Sequence, residues 1–238
     1  MEKQLRALVE KLKKAAGDNL RAVVLYGSAA RGDYQPKFSD LNLLCVLGRL
    51  DGAVLDALGP VIVWWTRQGQ PPPLVFSLEE LRSSADVFAI ELFDMRTRRR
   101  VLWGEDFLAG LEVPMDLHRL EVERELRVHQ VRLRERYLAM PHDPRAVLQL
   151  MTASISSFLT LFRHALIALG EQAPEGRREV AERIAALVGF DAAPFHAVLD
   201  VREGKRKPAQ VDVAATFHAY LGGITRVVEE VDRRLTAA

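Results

Sequence analysis

Gly27 and Ser28 close an apolar, β-branched run, Val23-Val24-Leu25-Tyr26, and open the segment Ala29-Ala30-Arg31-Gly32. A buried strand that stops at a glycine lets the backbone come close to a ligand. A serine hydroxyl and free amides at the following turn can then hold a phosphate oxygen. Farther on, Phe38-Ser39-Asp40-Leu41-Asn42-Leu43-Leu44 starts a second apolar run. Asp40 and Asn42 are two residues apart on this strand pattern, so their side chains point to one face. Two oxygen ligands on one face, opposite a phosphate-binding turn, suit a Mg²⁺–nucleotide complex. Arg31 adds a cation that could meet a triphosphate.

Other residue types carry less. Cys45 is the single cysteine; between Leu44 and Val46 it reads as a small buried apolar side chain, not a nucleophile. The six histidines contain no pair at metal-ligand spacing within one helix, so a zinc site is not expected. Trp64 and Trp65 read as packing residues. The basic clusters at Arg96, Arg98, Arg99 and Arg100, and at Arg202, Lys205, Arg206 and Lys207, read as solvated loops.

The elements that must position Gly27 to Asn42 are legible on either side. Residues 2–16 place Leu5, Leu8, Val9 and Leu12 at helical spacing before Gly17. Arg21 to Tyr26 and Leu41 to Leu47 are expected to be strands buried on two faces. Leu50 to Gln68 is expected to be helical despite Gly59 and Pro60, ending at Gln70-Pro71-Pro72-Pro73. Leu74 to Ser77 reads as a short strand, Glu79 to Phe93 as one helix, and Val101 to Trp103 as an edge strand. After Pro114 only helical periodicity appears, over 115–139, 145–169, 176–188 and 209–235, with punctuation at Pro141, Pro144, Gly170, Pro174, Pro194 and Pro208. The expected organisation is therefore an α+β domain over 1–112, a small mixed sheet with flanking helices, followed by an all-α bundle over 113–238.

Composition narrows the partners. The 238 residues carry 33 Lys plus Arg against 32 Asp plus Glu, a net charge of +1. The stretch through Glu112 has 15 basic and 15 acidic residues and the remainder 18 and 17, so neither part has the cationic excess that long nucleic acid requires. A 49% hydrophobic, 27% charged chain is not a disordered one. One cysteine excludes an internal disulfide framework and fits a reducing cytoplasm. The first residues show no secretory signal pattern. Leu148 to Leu169 is apolar, but Gln149, Thr152, Ser154, Ser156, Ser157, Thr160, Arg163 and His164 interrupt it, which fits a buried bundle helix better than a membrane span.

The combination Gly27, Ser28, Arg31, Gly32 and Asp40 resembles the signature of the nucleotidyltransferase superfamily related to DNA polymerase β. The small bacterial members that join such a domain to a C-terminal helical bundle are the nearest in pattern. Phe88-Ala89-Ile90-Glu91 and Val101-Leu102-Trp103-Gly104-Glu105-Asp106 also look like the end of such a domain, so the resemblance spans roughly residues 1–110. It implies nucleoside triphosphate binding with Mg²⁺ and transfer of NMP to a hydroxyl by in-line attack on the α-phosphate. Gly27, Ser28 and Arg31 would bind nucleotide, Asp40 would be catalytic, and Asp40 with Asn42 would hold metal. The acceptor is left open among a small molecule, a protein and an RNA, and a homodimer is left open as well.

Two departures bear on chemistry. Asn42 stands where active members carry a second acid, and an amide offers a carbonyl oxygen without charge. The strand Leu74-Val75-Phe76-Ser77 lacks the third carboxylate of active members; Glu79 and Glu80 lie just beyond it, and Glu91 and Asp94 farther on. Nucleotide binding can outlast catalysis in such a site, so a catalytically silent nucleotide sensor or partner-binding protein is the rival expectation.

Overall fold

The computed structural model describes residues 1–31, 40–140 and 143–236, without the side chains of Ser28, Arg31, Leu235 and Thr236. The chain divides into two compact units, Met1–Pro114 and Met115–Ala238.

The first unit is built on a four-stranded sheet in the order β3-β2-β1-β4. The strands are β1 (Leu20–Tyr26), β2 (Asn42–Leu47), β3 (Leu74–Ser77) and β4 (Arg99–Gly104). β1 runs antiparallel to both neighbours, whereas β2 and β3 are parallel, with the helix α2 (Gly52–Thr66) in the connection. Period-2 alternation divides the side chains of β1 and β2 between two cores, as the continuous apolar runs require. Val23, Leu25, Leu43, Cys45 and Leu47 meet Leu5, Leu8 and Leu12 of α1 (Glu2–Ala16) and Leu58 and Trp65 of α2. Val24, Leu44 and Val46 meet Leu81 of α3 (Leu78–Ser83) and Leu92 and Met95 of α4 (Ala89–Thr97).

Local chemistry sets the ends of these elements. The Asp51 carboxylate caps α2 by accepting from the Val54 N–H at 2.9 Å. Trp65, fully buried, donates its indole N–H to the Pro71 carbonyl at 2.9 Å, tying the end of α2 to the proline run. The single helix expected over Glu79 to Phe93 is two. A capping box between Ser77 and Glu80 starts α3, and Ser84 ends it by accepting from the Val87 and Phe88 amides. Ser83-Ser84-Ala85-Asp86 has no apolar periodicity to carry a helix through, and Ser and Asp favour turns.

The basic cluster around Arg99 is not a solvated loop. Arg99 on β4 forks onto Asp106 at 2.8 Å, Arg96 donates to the Leu111 carbonyl at 3.1 Å, and Arg100 pairs with Glu2 at 2.9 Å. Hydrogen bonds from Arg99 hold the Asp106 carboxyl below its ordinary value. The partners lie up to 98 residues away, beyond any local reading.

Cys45 is buried on β2, and burial pushes its thiol up to about 12. In the native protein it should therefore resist a thiol reagent at pH 8 and react within the dead time once unfolded in urea; rapid native labelling would contradict its position. The same shift sets a pH dependence. Above an ordinary thiol value of ~8.5 the unfolded chain loses this proton and the folded chain keeps it, so the contribution of Cys45 to stability falls by about 1.4 kcal/mol per pH unit until its folded value is reached.

The second unit packs α5 (Met115–Leu138), α6 (Pro144–Ala168), α7 (Arg177–Val188), α8 (Ala193–Arg202) and α9 (Val213–Thr236). The central element is α6. It is the one helix among the described residues long and apolar enough to cross a membrane, and 61% of its most apolar window is buried inside the protein. Phe158 and Phe162 of α6 join Phe195 of α8 and Tyr220 of α9 in an aromatic cluster with ring centroids 4.8–6.3 Å apart. The sequence pattern does not announce α8, because Pro194 reads as a break. It occupies the first turn, where a missing N–H costs no helical hydrogen bond. Arg202, read as a loop cation, lies on this helix and donates to the Thr152 carbonyl at 2.9 Å.

Candidate functional site

β1 ends at Tyr26, and Gly27 begins a short 3-10 turn, Gly27–Arg31. The turn needs a glycine: its φ is 76°, which a side chain rarely tolerates. The Gly27 N–H donates to the Arg98 carbonyl at 3.2 Å, fixing the turn to the start of β4. β2 begins at Asn42, whose Cα partner across the ladder is Tyr26. The antiparallel register thus brings Gly27 and Asn42, fifteen positions apart in the chain, to the same end of two adjacent strands. A Cβ built on Gly27 would lie 3.4 Å from the Asn42 amide nitrogen, so that side chain leans over the turn.

Asp40 is exposed just ahead of β2, and the next residue is anchored: the Leu41 N–H donates to the Gln70 side-chain oxygen at 2.9 Å. Leu41 is itself fully buried, which leaves Asp40 at the surface beside the start of the strand. The side chains of Ser28 and Arg31, and all of Gly32 and Ser39, lie outside the described residues. Of the sequence-derived candidates, Gly27, Asp40 and Asn42 are brought to one end of the sheet.

Asn42 shares its sheet face with Leu44 and Val46, the face covered by α3 and α4. Tyr26, its ladder partner, belongs to that face too. Burial, and after it the charge of Glu91 on α4, push the Tyr26 hydroxyl up to about 12, so it is a neutral donor through the working pH range. Neither Tyr26 nor its relation to Glu91 was foreseen. The signal available was only that Tyr26 precedes Gly27; the approach of α4 depends on the break at Ser84. β3 contributes no carboxylate: Leu74 and Phe76 pair with Leu44 and Val46, and Phe76 meets the Phe88 ring edge-on at 6.1 Å. Among the described residues no group of three or more His, Cys, Asp and Glu side chains converges as a metal cluster.

No protein-family model matches the chain, and no curated protein matches it in sequence. Solved structures do match. The spectinomycin adenyltransferase AAD(9) from Enterococcus faecialis, solved with ATP and spectinomycin, is similar over 95% of this chain and 99% of its own, with 15% identity and a TM-score of 0.61. A toxin–antitoxin structure with AMP-PNP and a mutant of the toxin–antitoxin MntA-HpeT each cover 56% of this chain and 98% of theirs, at 16% identity, with TM-scores of 0.32 and 0.31. The fold assignment rests on the first. The chain has the polymerase-β-like nucleotidyltransferase fold, an α+β sheet unit followed by helices, as its Gly27–Asp40 pattern led us to expect.

Proposed function

We propose that this protein binds a nucleoside triphosphate at the sheet end formed by Gly27 and Asn42, and that it transfers NMP to a hydroxyl acceptor where it retains activity. The observation that carries this reading is the convergence of the glycine turn with Asn42, with Asp40 just ahead of it, in a chain of nucleotidyltransferase fold. Gly27 and Ser28 would receive phosphate oxygens and Arg31 a further triphosphate charge. The ATP in the enterococcal structure is consistent with such a ligand.

The donor set fits one Mg²⁺ arriving with the nucleotide. Such an ion is commonly held by one or two protein carboxylates plus substrate phosphates, and here Asp40 would supply a carboxylate and Asn42 a neutral oxygen. When bound, the ion would neutralise triphosphate charge and favour the pyrophosphate leaving group. The protein's own contribution is placement: the turn at Gly27 for the phosphates, Asp40 at the exposed edge, and Tyr26 as a neutral hydrogen-bond donor on the same face.

A second reading is supported by Asn42 and by the apolar side chains of Leu74 and Phe76 on β3, where active members of the resembled superfamily carry acids. It makes the protein a silent nucleotide sensor or a partner-binding protein. Labelled triphosphates and Mg²⁺ with a panel of small-molecule, protein and RNA hydroxyl acceptors separate the two readings. Pyrophosphate release that Asp40→Ala abolishes supports transfer; binding without release supports the sensor; release that Asp40→Ala leaves intact would rule out this site.

A further inference from the structure

A groove runs between α5 and α6, within the helical unit. It encloses about 190 Å³ and is lined by His129, Arg132 and Arg136 from α5 and by Ser154, Ser157 and Phe158 from α6. Among the described residues no acidic side chain lines it. The spacing 129, 132, 136 keeps the three basic residues on one helix face.

The arginines of α5 divide sharply. Arg119 is paired with Asp116, Arg124 with Glu125, and Arg127 with Glu123 and Asp232, while Arg134 reaches the Thr225 hydroxyl. Arg132 and Arg136, the two that line the groove, make no ion pair or hydrogen bond with any described residue. Two guanidinium groups one turn apart repel each other on a helix surface, and an anion between them converts that repulsion into attraction.

His129 is preset rather than free to turn. Its Nδ1 lies 2.9 Å from the Glu125 backbone oxygen, which can only accept, so Nδ1 carries the proton, and the Glu125 carboxylate lies 3.5 Å from the same nitrogen. The ring stands edge-on to Phe158, with centroids 6.1 Å apart. Exposed Ala153 and the edge of Leu150 give the groove an apolar floor, with Leu133 and Phe158 buried beneath it. The volume is below the ~300 Å³ typical of sites for drug-sized ligands, which suits one tetrahedral anion with a short carbon appendage.

We propose that the α5–α6 groove binds a small organic phosphate, its phosphate group between Arg132 and Arg136 and its carbon portion against Ala153 and Leu150. It lies within the helical unit and stands whether or not the reading at Gly27 and Asn42 does.

The full-length protein, titrated by NMR with inorganic phosphate and with phenyl phosphate, tests this. Binding should be saturable at millimolar concentration or below and should shift the amides of Ser154 and Ser157 and the ring signals of His129. Phenyl phosphate should bind at least fivefold tighter than inorganic phosphate, because only it uses the apolar floor. Equal affinities would overturn the organic-phosphate assignment in favour of a free-phosphate site. The double variant Arg132→Gln, Arg136→Gln should lose at least tenfold in affinity with its thermal midpoint retained, since neither side chain has a partner among the described residues. Arg134→Gln, which removes a charge from the same helix outside the groove, should bind as the wild type does. Absence of saturable shifts at these residues, or an equal loss in Arg134→Gln, would refute the site.

Discussion

Asn42→Asp should tighten Mg²⁺-dependent ATP binding at least tenfold, and in the absence of Mg²⁺ it should weaken ATP binding. The substitution exchanges an amide for a carboxylate of the same shape, at a half-buried position whose side chain already leans over Gly27. The fold therefore has little reason to change. Near a divalent cation the added charge attracts: a unit pair at 4 Å is worth about 4 kcal/mol at an effective dielectric of 20, before desolvation takes part of it back. Retaining roughly a third of that gives the tenfold. Without the cation the same carboxylate faces a polyanion, so the sign reverses. Calorimetric titrations with and without Mg²⁺ read both signs in one protein. If the second acid was the only ligand missing, pyrophosphate release should appear as well; improved binding without release would point to the absent carboxylate on β3 as the decisive loss.

Gly104→Ala should be among the most destabilising single substitutions in the sheet unit, costing about 3 kcal/mol or more out of a typical total of 5–15. Gly104 ends β4 opposite Ala22, with φ at 81°. A Cβ there would overlap the Arg21 carbonyl oxygen and sit 2.9 Å from the Ala22 Cα. Both obstacles are backbone, so no rotamer relieves them, and the β1–β4 ladder would have to part. Since that ladder also fixes Gly27 through Arg98, nucleotide binding should fall with stability. Gly110→Ala is the control: it is exposed, nothing lies within 4 Å of its Cβ, and it should stay within ~1 kcal/mol. Urea midpoints of the two variants decide the matter, and an unperturbed Gly104→Ala would contradict the β1–β4 register.

The parts legible in the sequence were those written in short-range pattern. α1, the strands β1 to β3 and the long bundle helices announce themselves through periodicity, and Gly27 through the abrupt end of an apolar run. The doubly buried character of β1 and β2 followed from their unbroken apolar runs. What was not legible depends on partners distant in the chain. Arg99 looked like a solvated cation because Asp106 approaches it only after β4 has turned at Gly104. His118 and His164, 46 residues apart, were unreadable as a pair, yet they are fully buried and share a 2.9 Å hydrogen bond between α5 and α6. The groove of Arg132 and Arg136 was hidden for a related reason: six arginines on one helix look alike until it is known which four have partners. The single helix expected over Glu79 to Phe93 failed locally, where a Ser-rich turn outweighed average helical character, and that failure concealed how α4 reaches Tyr26.

The central claim, a triphosphate held at the sheet end by Gly27 with help from Asp40, is tested most directly by isothermal calorimetry of ATP binding to wild type and Asp40→Ala at fixed Mg²⁺. Asp40 is exposed, so its removal should leave the fold intact. The wild type should give saturable heat that depends on Mg²⁺, and Asp40→Ala should bind at least tenfold more weakly. Silence in the wild type, or equal binding by both proteins, would contradict that claim.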